Sequence, residues 1–281
     1  MSKTISRDTL LSCVRILSRS EGGGAGGSGT VLYSALNKDK DYSTYILTNE
    51  HVVDNNIKIE KRWNSVLKRD VRKEVLGTVE AHFFNYRWEQ RAVGASAVEG
   101  DVVAWDKEED LALIKLRSDE PAKAVAKLYP RGEERKLGIG TPTMAIGAGL
   151  GEPPVLTVGR LSQFGREIEN REYWLQTAPT IFGNSGGAVF LEDTEEFIGV
   201  PARIAVVMLG FSADAVTHLS YMIPITRVYN FLDDQMFRFI FDSDYTEAGE
   251  EKAREEKRKE EERKLEAKTD AGEDEDEAAV A

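Results

Sequence analysis

The chain has a single cysteine, Cys13, in 281 residues, so no internal disulfide can form and packing alone must hold the fold. Cys13 reads as a small buried apolar residue. Proline is scarce at 8 residues and the 24 glycines follow no fixed period, which excludes collagen-like and mucin-like chains. Long apolar runs are missing too. Nothing approaches the roughly 20 consecutive apolar residues of a spanning helix, so no membrane partner is expected. The apolar run at residues 10–14 breaks at Arg15, too short for the core of an export signal, and the expected location is cytoplasmic. One cysteine and three scattered histidines, His51, His82 and His218, supply no metal-ligand spacing, so no metal and no cofactor is expected.

An excess of positive charge is also lacking. The net charge is −12, from 49 acids and 37 bases. Residues 247–281 hold 15 acids and 8 bases, or −7, which leaves −5 for residues 1–246. Phosphate binding needs clustered Lys and Arg, so no nucleic-acid partner is expected. The one basic cluster, at residues 58–73, is interleaved with Glu60, Asp70 and Glu74 and reads as a solvated hairpin face. In the tail, residues 249–268 carry Leu265 as their only large apolar side chain. Glu250 with Arg254, Glu255 with Lys259 and Glu260 with Lys264 stand at i, i+4 spacing. The expectation is an exposed helix with no face to bury, followed by an unstructured acidic end.

What is present is an ample supply of apolar residues, 41% of the chain, cut into short runs. Stretches rich in β-branched and aromatic residues fall at 30–33, 45–48, 78–85, 101–105, 111–116, 143–147, 155–161, 172–176, 188–191, 204–209 and 221–225. Gly, Asn, Asp and Pro separate them, which predicts an all-β body of eleven or twelve strands. That exceeds one small barrel, and the polar stretch 127–136 offers a crossing between halves. The predicted fold is two tandem six-stranded β-barrels, at about 10–125 and 136–228, with a C-terminal helix at about 225–240. The body is residues 1–245 and the charged tail 246–281.

Three segments each set one reactive side chain beside a strand, in the order His, Asp, Ser. They are Thr48-Asn49-Glu50-His51-Val52-Val53, Asp110-Leu111-Ala112-Leu113-Ile114-Lys115 and Gly183-Asn184-Ser185-Gly186-Gly187. A serine hydroxyl becomes a useful nucleophile when an imidazole takes its proton, and the imidazole keeps the right tautomer when a carboxylate accepts its other N–H. Glycine two positions before the serine lets main-chain N–H groups turn toward a developing oxyanion. The N–H groups of Gly183 and Ser185 are the candidate donors. Asp106, Glu108 and Glu109 compete with Asp110, but only Asp110 directly precedes the apolar strand.

At these residues the chain resembles the trypsin-like, chymotrypsin-fold serine peptidases, most closely their HtrA branch. Supporting segments are Gly27-Ser28-Gly29-Thr30, Met144-Ala145-Ile146-Gly147, Val158-Gly159-Arg160-Leu161-Ser162 and Tyr221-Met222-Ile223-Pro224 before a helix. The resemblance covers roughly residues 10–235. It implies a chymotrypsin-like fold and a serine endopeptidase acting on unfolded or flexible protein segments, with protein or peptide substrates as partners and homo-oligomers as a further expectation. His51 is then the general base, Asp110 orients it and Ser185 attacks. Against the HtrA pattern, no second globular domain of the PDZ type is expected after the barrels, and the longer 54–99 segment reads as an extended hairpin.

Thr180, Ile181 and Phe182 would line the specificity pocket. Residues 176–184 contain no Asp or Glu, which predicts a small or apolar residue before the cut. His218, with Thr180, marks the less favoured option of cutting after glutamate. The alternative function is a catalytically silent peptidase-fold module that binds peptides. A lipase-like esterase is disfavoured, because there His comes last in the chain. Trp63, Trp88, Trp105 and Trp174 read as packing residues, and His82 as a half-exposed strand residue.

Overall fold

The computed structural model describes residues 5–20, 23–64, 69–87, 91–209 and 212–278. A short helix α1 (Arg7–Leu11) precedes the first barrel, with Ser6 capping its N-terminus. That barrel is closed by β1 (Cys13–Ser20), β2 (Gly23–Leu36), β3 (Tyr42–Thr48), β6 (Thr78–Tyr86), β7 (Ala92–Asp106) and β8 (Leu111–Leu116), in the order β1-β2-β3-β8-β7-β6. A one-turn helix α2 (Glu50–Val53) follows β3. The hairpin β4 (Ile57–Asn64) and β5 (Arg69–Leu76) forms a separate two-stranded sheet. Only this part of the 54–99 segment is an extra hairpin, because β6 and β7 are staves of the barrel. Trp63 is largely exposed on β4, contrary to the expected packing role; Trp88 lies outside the described residues.

The second sheet contains β9 (Lys127–Leu128), β10 (Pro142–Gly147), β11 (Val155–Ile168), β12 (Arg171–Gln176), β13 (Ala188–Leu191), β14 (Glu196–Leu209) and β15 (Ser212–Pro224). β13 pairs with both β10 and β14, which closes six of these strands into a ring, and β9 joins β14 in parallel. Helix α3 (Ile225–Asp234) begins directly after Pro224. It ends short of the expected 240, where Met236 turns to φ +58° and the chain passes into a 3-10 turn at Arg238–Ile240.

Alternation along the strands explains how two barrels share one core. On β3, Ile46 points into the first barrel while Tyr45 and Leu47 face outward; on β8, Ala112 and Ile114 point inward while Leu111 and Leu113 face outward. The outward set meets Ile146, Phe190, Phe197, Ile223, Val228, Phe231 and Leu232 from the second barrel and α3. Ala145, Leu161, Trp174, Val189 and Ile198 fill the second barrel itself. Strands buried on both faces read as unbroken apolar runs, which is why LALIKL shows no polar alternation. Cys13 is buried, and burial pushes its thiol up to about 12, so it is inert at neutral pH.

The tail departs from expectation. Helix α4 (Glu247–Ala278) continues through residues that composition would leave unstructured, and its first turns dock on the body through polar groups. Glu247 accepts from the Tyr45 hydroxyl at 2.6 Å and Lys115 Nζ at 2.7 Å. Glu250 is almost wholly buried and accepts from Arg238 Nε and Nη2 at 2.8 and 2.6 Å. Arg254 lies 4.0 Å from the centre of the Phe237 ring. No helix among the described residues is long and apolar enough to cross a membrane.

Candidate active site

His51 sits on α2, immediately after β3, and Asp110 on the turn between β7 and β8, directly before β8, the strand that pairs with β3 in the barrel wall. The Asp106 carboxylate accepts from the N–H groups of Glu108 and Glu109 at 2.8 and 2.9 Å, which tightens that turn. Asp110 itself adopts φ +53°, a left-handed conformation uncommon outside glycine, asparagine and aspartate. Two contacts hold it there. Asn49 Nδ2 donates to the Asp110 carbonyl at 2.7 Å, and the His51 N–H donates to Asp110 Oδ1 at 3.2 Å.

The imidazole and carboxylate meet across this junction. His51 Nδ1 lies 2.8 Å from Asp110 Oδ1 and 3.1 Å from Oδ2. An ionised carboxylate can only accept, so the proton sits on Nδ1 and leaves Nε2 as the basic nitrogen. Burial pulls the imidazole pKa down, but the Asp110 hydrogen bond and charge, helped by Glu50 and Asp54, outweigh it and raise the pKa above 6.5. Glu50 is buried beside the pair, and burial followed by the Asp110 charge raises its carboxyl.

Ser185 comes from the loop before β13. Gly183 and Gly186 flank Asn184 and Ser185 at φ +98° and +82°. A Cβ at Gly183 would stand 2.6 Å from the Ala148 carbonyl oxygen, and one at Gly186 would stand 2.2 Å from the Ser28 carbonyl oxygen, so side chains are excluded twice over. The loop is pinned from both barrels. Ser28 N–H donates to the Ser185 carbonyl at 2.8 Å, Ser28 Oγ to the Gly183 carbonyl at 2.6 Å, and Gly186 N–H to the Pro201 carbonyl at 3.2 Å. Among the described residues, the N–H groups of Gly183 and Ser185 have no acceptor within the chain.

His51 and Ser185 line one cleft of about 510 Å³ with Thr180, Ile181, Phe182 and Asn184 on one side and residues 201–204 on the other. Thr180 is buried with its hydroxyl unpartnered, whereas Phe182 is largely exposed at the rim. Among the described residues no carboxylate lines this cleft, and Arg203 is its cationic side chain. His218 is exposed and lies outside it. His82 is not half-exposed as expected: it is largely buried between Arg15 Nη2 at 2.8 Å and Glu80 Oε2 at 3.1 Å.

Of the competing acids, Asp106 shapes the turn and Glu109 binds Arg227 at 2.6 Å. Three supporting residues escaped the sequence reading: Asn49, Ser28 and Arg227. Asn49 and Ser28 lie within quoted motifs, yet their roles depend on neighbours distant in sequence. Arg227 is an arginine on the buried face of α3, and that violation of helix patterning was the available signal. Among the described residues no group of three His, Cys, Asp or Glu could hold a metal.

Two closed barrels with a histidine and aspartate on one and a glycine-hinged serine on the other form the chymotrypsin-like architecture. The chain belongs to the trypsin-like peptidase domain family, whose model matches residues 27–200. A periplasmic serine endoprotease DegP from Salmonella typhimurium is 30% identical over 66% of this chain and 34% of its own length. A DegP-like periplasmic serine endoprotease from Marinomonas is 28% identical over 64% of this chain and 30% of its own. The chain thus spans about a third of these relatives. Among solved structures, the HtrA-type protease AlgW with tripeptide superposes with TM-score 0.55 at 19% identity, covering 83% of this chain and 62% of that one. The serine endoprotease from Yersinia pestis gives 0.52 at 22%, covering 84% and 65%.

These relatives overturn the cytoplasmic expectation. They are named as periplasmic, and a short apolar run at residues 10–14 is no guide to compartment, because those residues supply the end of α1 and the start of β1.

Proposed function

We propose that the chain is a serine endopeptidase that hydrolyses peptide bonds in unfolded or flexible protein segments, with His51, Asp110 and Ser185 as its catalytic triad. The observation that carries this reading is the His51–Asp110 hydrogen bond opening onto the cleft that also holds Ser185. His51 Nε2 takes the Ser185 proton as Oγ attacks the scissile carbonyl, and Asp110 steadies the resulting imidazolium. The N–H groups of Gly183 and Ser185 receive the oxyanion. The imidazolium then protonates the leaving amine, and water hydrolyses the acyl-enzyme by the same steps in reverse. No cofactor enters this scheme.

The substrate's main chain adds to β14 as an extra strand. β14 pairs with β13 only up to Gly199, so its edge at residues 202–204 is free of β13 and borders the cleft. Thr180, Ile181 and Phe182 form the opposite wall, where a small or apolar side chain before the cut fits a lining without carboxylates. The peptidase unit is residues 1–245 together with the docked start of α4. By analogy with the relatives named above, it works in the periplasm on protein substrates, and copies of the chain assemble with one another.

A fluorophosphonate probe tests the reading, together with digestion of an unfolded protein. Wild type should be labelled and should cut, and Ser185→Ala should do neither. An unlabelled wild type, under conditions where a standard serine peptidase reacts, overturns the proposal.

A further inference from the structure

The catalytic cleft ends at Arg203, and a second cavity of about 510 Å³ begins at the same side chain. Its walls carry Lys107, Glu108, Glu169, Arg171 and Tyr173, so three cations with Arg203 stand against two carboxylates. The carboxylates are the more exposed partners. Glu108 and Glu169 are 80% and 72% exposed, while Arg171 and Arg203 are 34% and 38% exposed. Arg203 is held over the Tyr173 ring, 5.5 Å from its centre, and meets Glu169 through Nη2 alone at 2.6 Å. Among the described residues its Nε and Nη1 make no hydrogen bond, and the Lys107 ammonium makes no hydrogen bond or close ion pair, although it lies within the electrostatic reach of Glu50 as Arg203 lies within that of Asp110. Glu169 and its neighbour Asn170 form the turn of the β11–β12 hairpin, both with positive φ.

Such an arrangement suits a carboxylate arriving from outside. A guanidinium offers a planar fork of donors that accepts a carboxylate on two sites at once, whereas Glu169 uses one. The Glu169 pair is solvent-screened and so is readily displaced or extended. A peptide strand lying along residues 202–204 presents alternate side chains to opposite faces, so one near Arg203 is directed into this cavity. We propose that the cavity is a subsite for an Asp or Glu side chain of the substrate, a few residues from the bond to be cut, held by Arg203 and Lys107. The proposal rests on the peptidase reading.

The test uses quenched peptides with a fixed apolar residue at the cut and Glu, Gln or Lys placed in turn at four positions on either side. At one position Glu should raise kcat/KM at least fivefold over Gln. Arg203→Gln should bring that ratio to about one, Lys107→Gln should reduce it, and Arg203→Glu should make Lys the preferred residue there. Fluorophosphonate labelling of each variant reports that the catalytic site is still assembled. Affinities of the same peptides for Ser185→Ala, read by fluorescence anisotropy, measure the preference without turnover. Wild type that cuts Glu and Gln peptides within twofold at every position overturns the subsite and leaves the peptidase standing. Absence of both labelling and cleavage sinks the peptidase reading and the subsite with it, while equal affinities in Ser185→Ala overturn the subsite alone.

Discussion

Arg227 donates from Nε to the Glu109 carboxylate at 2.6 Å and from Nη2 to the Glu109 carbonyl at 2.9 Å, so the helix of the second barrel grips the turn that carries Asp110 on the first. The guanidinium also lies 5.0 Å from the centre of the Tyr173 ring and donates to the Glu172 carbonyl at 3.0 Å. It is 9% exposed and Glu109 is 21% exposed. Removing one member strands its partner in a half-dry site. Arg227→Met should therefore lower unfolding stability by about 1.5–3 kcal/mol, the range of hydrogen bonds to charged groups. Turnover should fall further than stability explains, because Asp110 loses its brace. Urea titration and steady-state kinetics on folded protein check both; full activity in the variant would place the Asp110 turn under other control.

On the proposed mechanism, the raised His51 pKa should set the acid limb of the pH profile. Protonated imidazole cannot accept the Ser185 proton, so kcat/KM should rise with pH through a value above 6.5. Glu50→Gln removes one negative neighbour and should shift that limb to lower pH. Stability runs the opposite way. A folded pKa above the unfolded one contributes stability that is complete below about 6.5 and is lost as pH rises through the folded value. Mutating His51 to Ala should consequently cost more stability at pH 5.5 than at pH 8.5, measured by urea unfolding at each pH.

Separating chemistry from architecture is the purpose of the serine loop variants. Ser185→Ala should abolish turnover while leaving Tm nearly unchanged, because the hydroxyl contributes little packing. Gly183→Ala should do both kinds of damage. Its Cβ meets the Ala148 carbonyl and its φ of +98° is strained for alanine, so Tm should fall, and loss of an aimed N–H should lower kcat on the order of 100 to 1000-fold. A Gly183→Ala protein with normal kcat would remove that N–H from the mechanism.

The residues of the proposed triad stand out in the sequence because each is embedded in a local signal: an apolar strand beside it, or glycines around it. Both barrels were readable for the same reason. Strand β1 lies outside the strands that the sequence predicts, because Arg15 and Arg19 interrupt its apolar residues, although that alternation is what a barrel stave facing solvent on one side requires. Strand β9, two residues long, leaves no pattern at all. Contacts such as Asn49 to Asp110 are 61 residues apart, and no local periodicity encodes them.

The docked tail failed to announce itself because polar groups, not an apolar stripe, attach it. Glu250, 3% exposed, takes two hydrogen bonds from the Arg238 side chain and another from its backbone N–H. Burial would raise the Glu247 pKa, but Lys115, Tyr45 and Ser43 together lower it. A depressed carboxylate contributes stability that is present above its unfolded pKa and lost as pH falls through the folded one. Truncation after Tyr245 should thus destabilise the body by about 2–4 kcal/mol at pH 7, from several charge-assisted hydrogen bonds and the covered Phe237 ring. The Glu247 share should shrink as pH falls below about 4.5 and vanish only once pH has passed below the depressed folded value, where that carboxylate is protonated in both states. Truncation after Lys259 keeps every one of these contacts and should change stability by no more than about 0.5 kcal/mol. Urea unfolding of the two truncations separates the cases: equal stabilities would mean that α4 contributes nothing to the body, and the polar docking would carry no energetic weight.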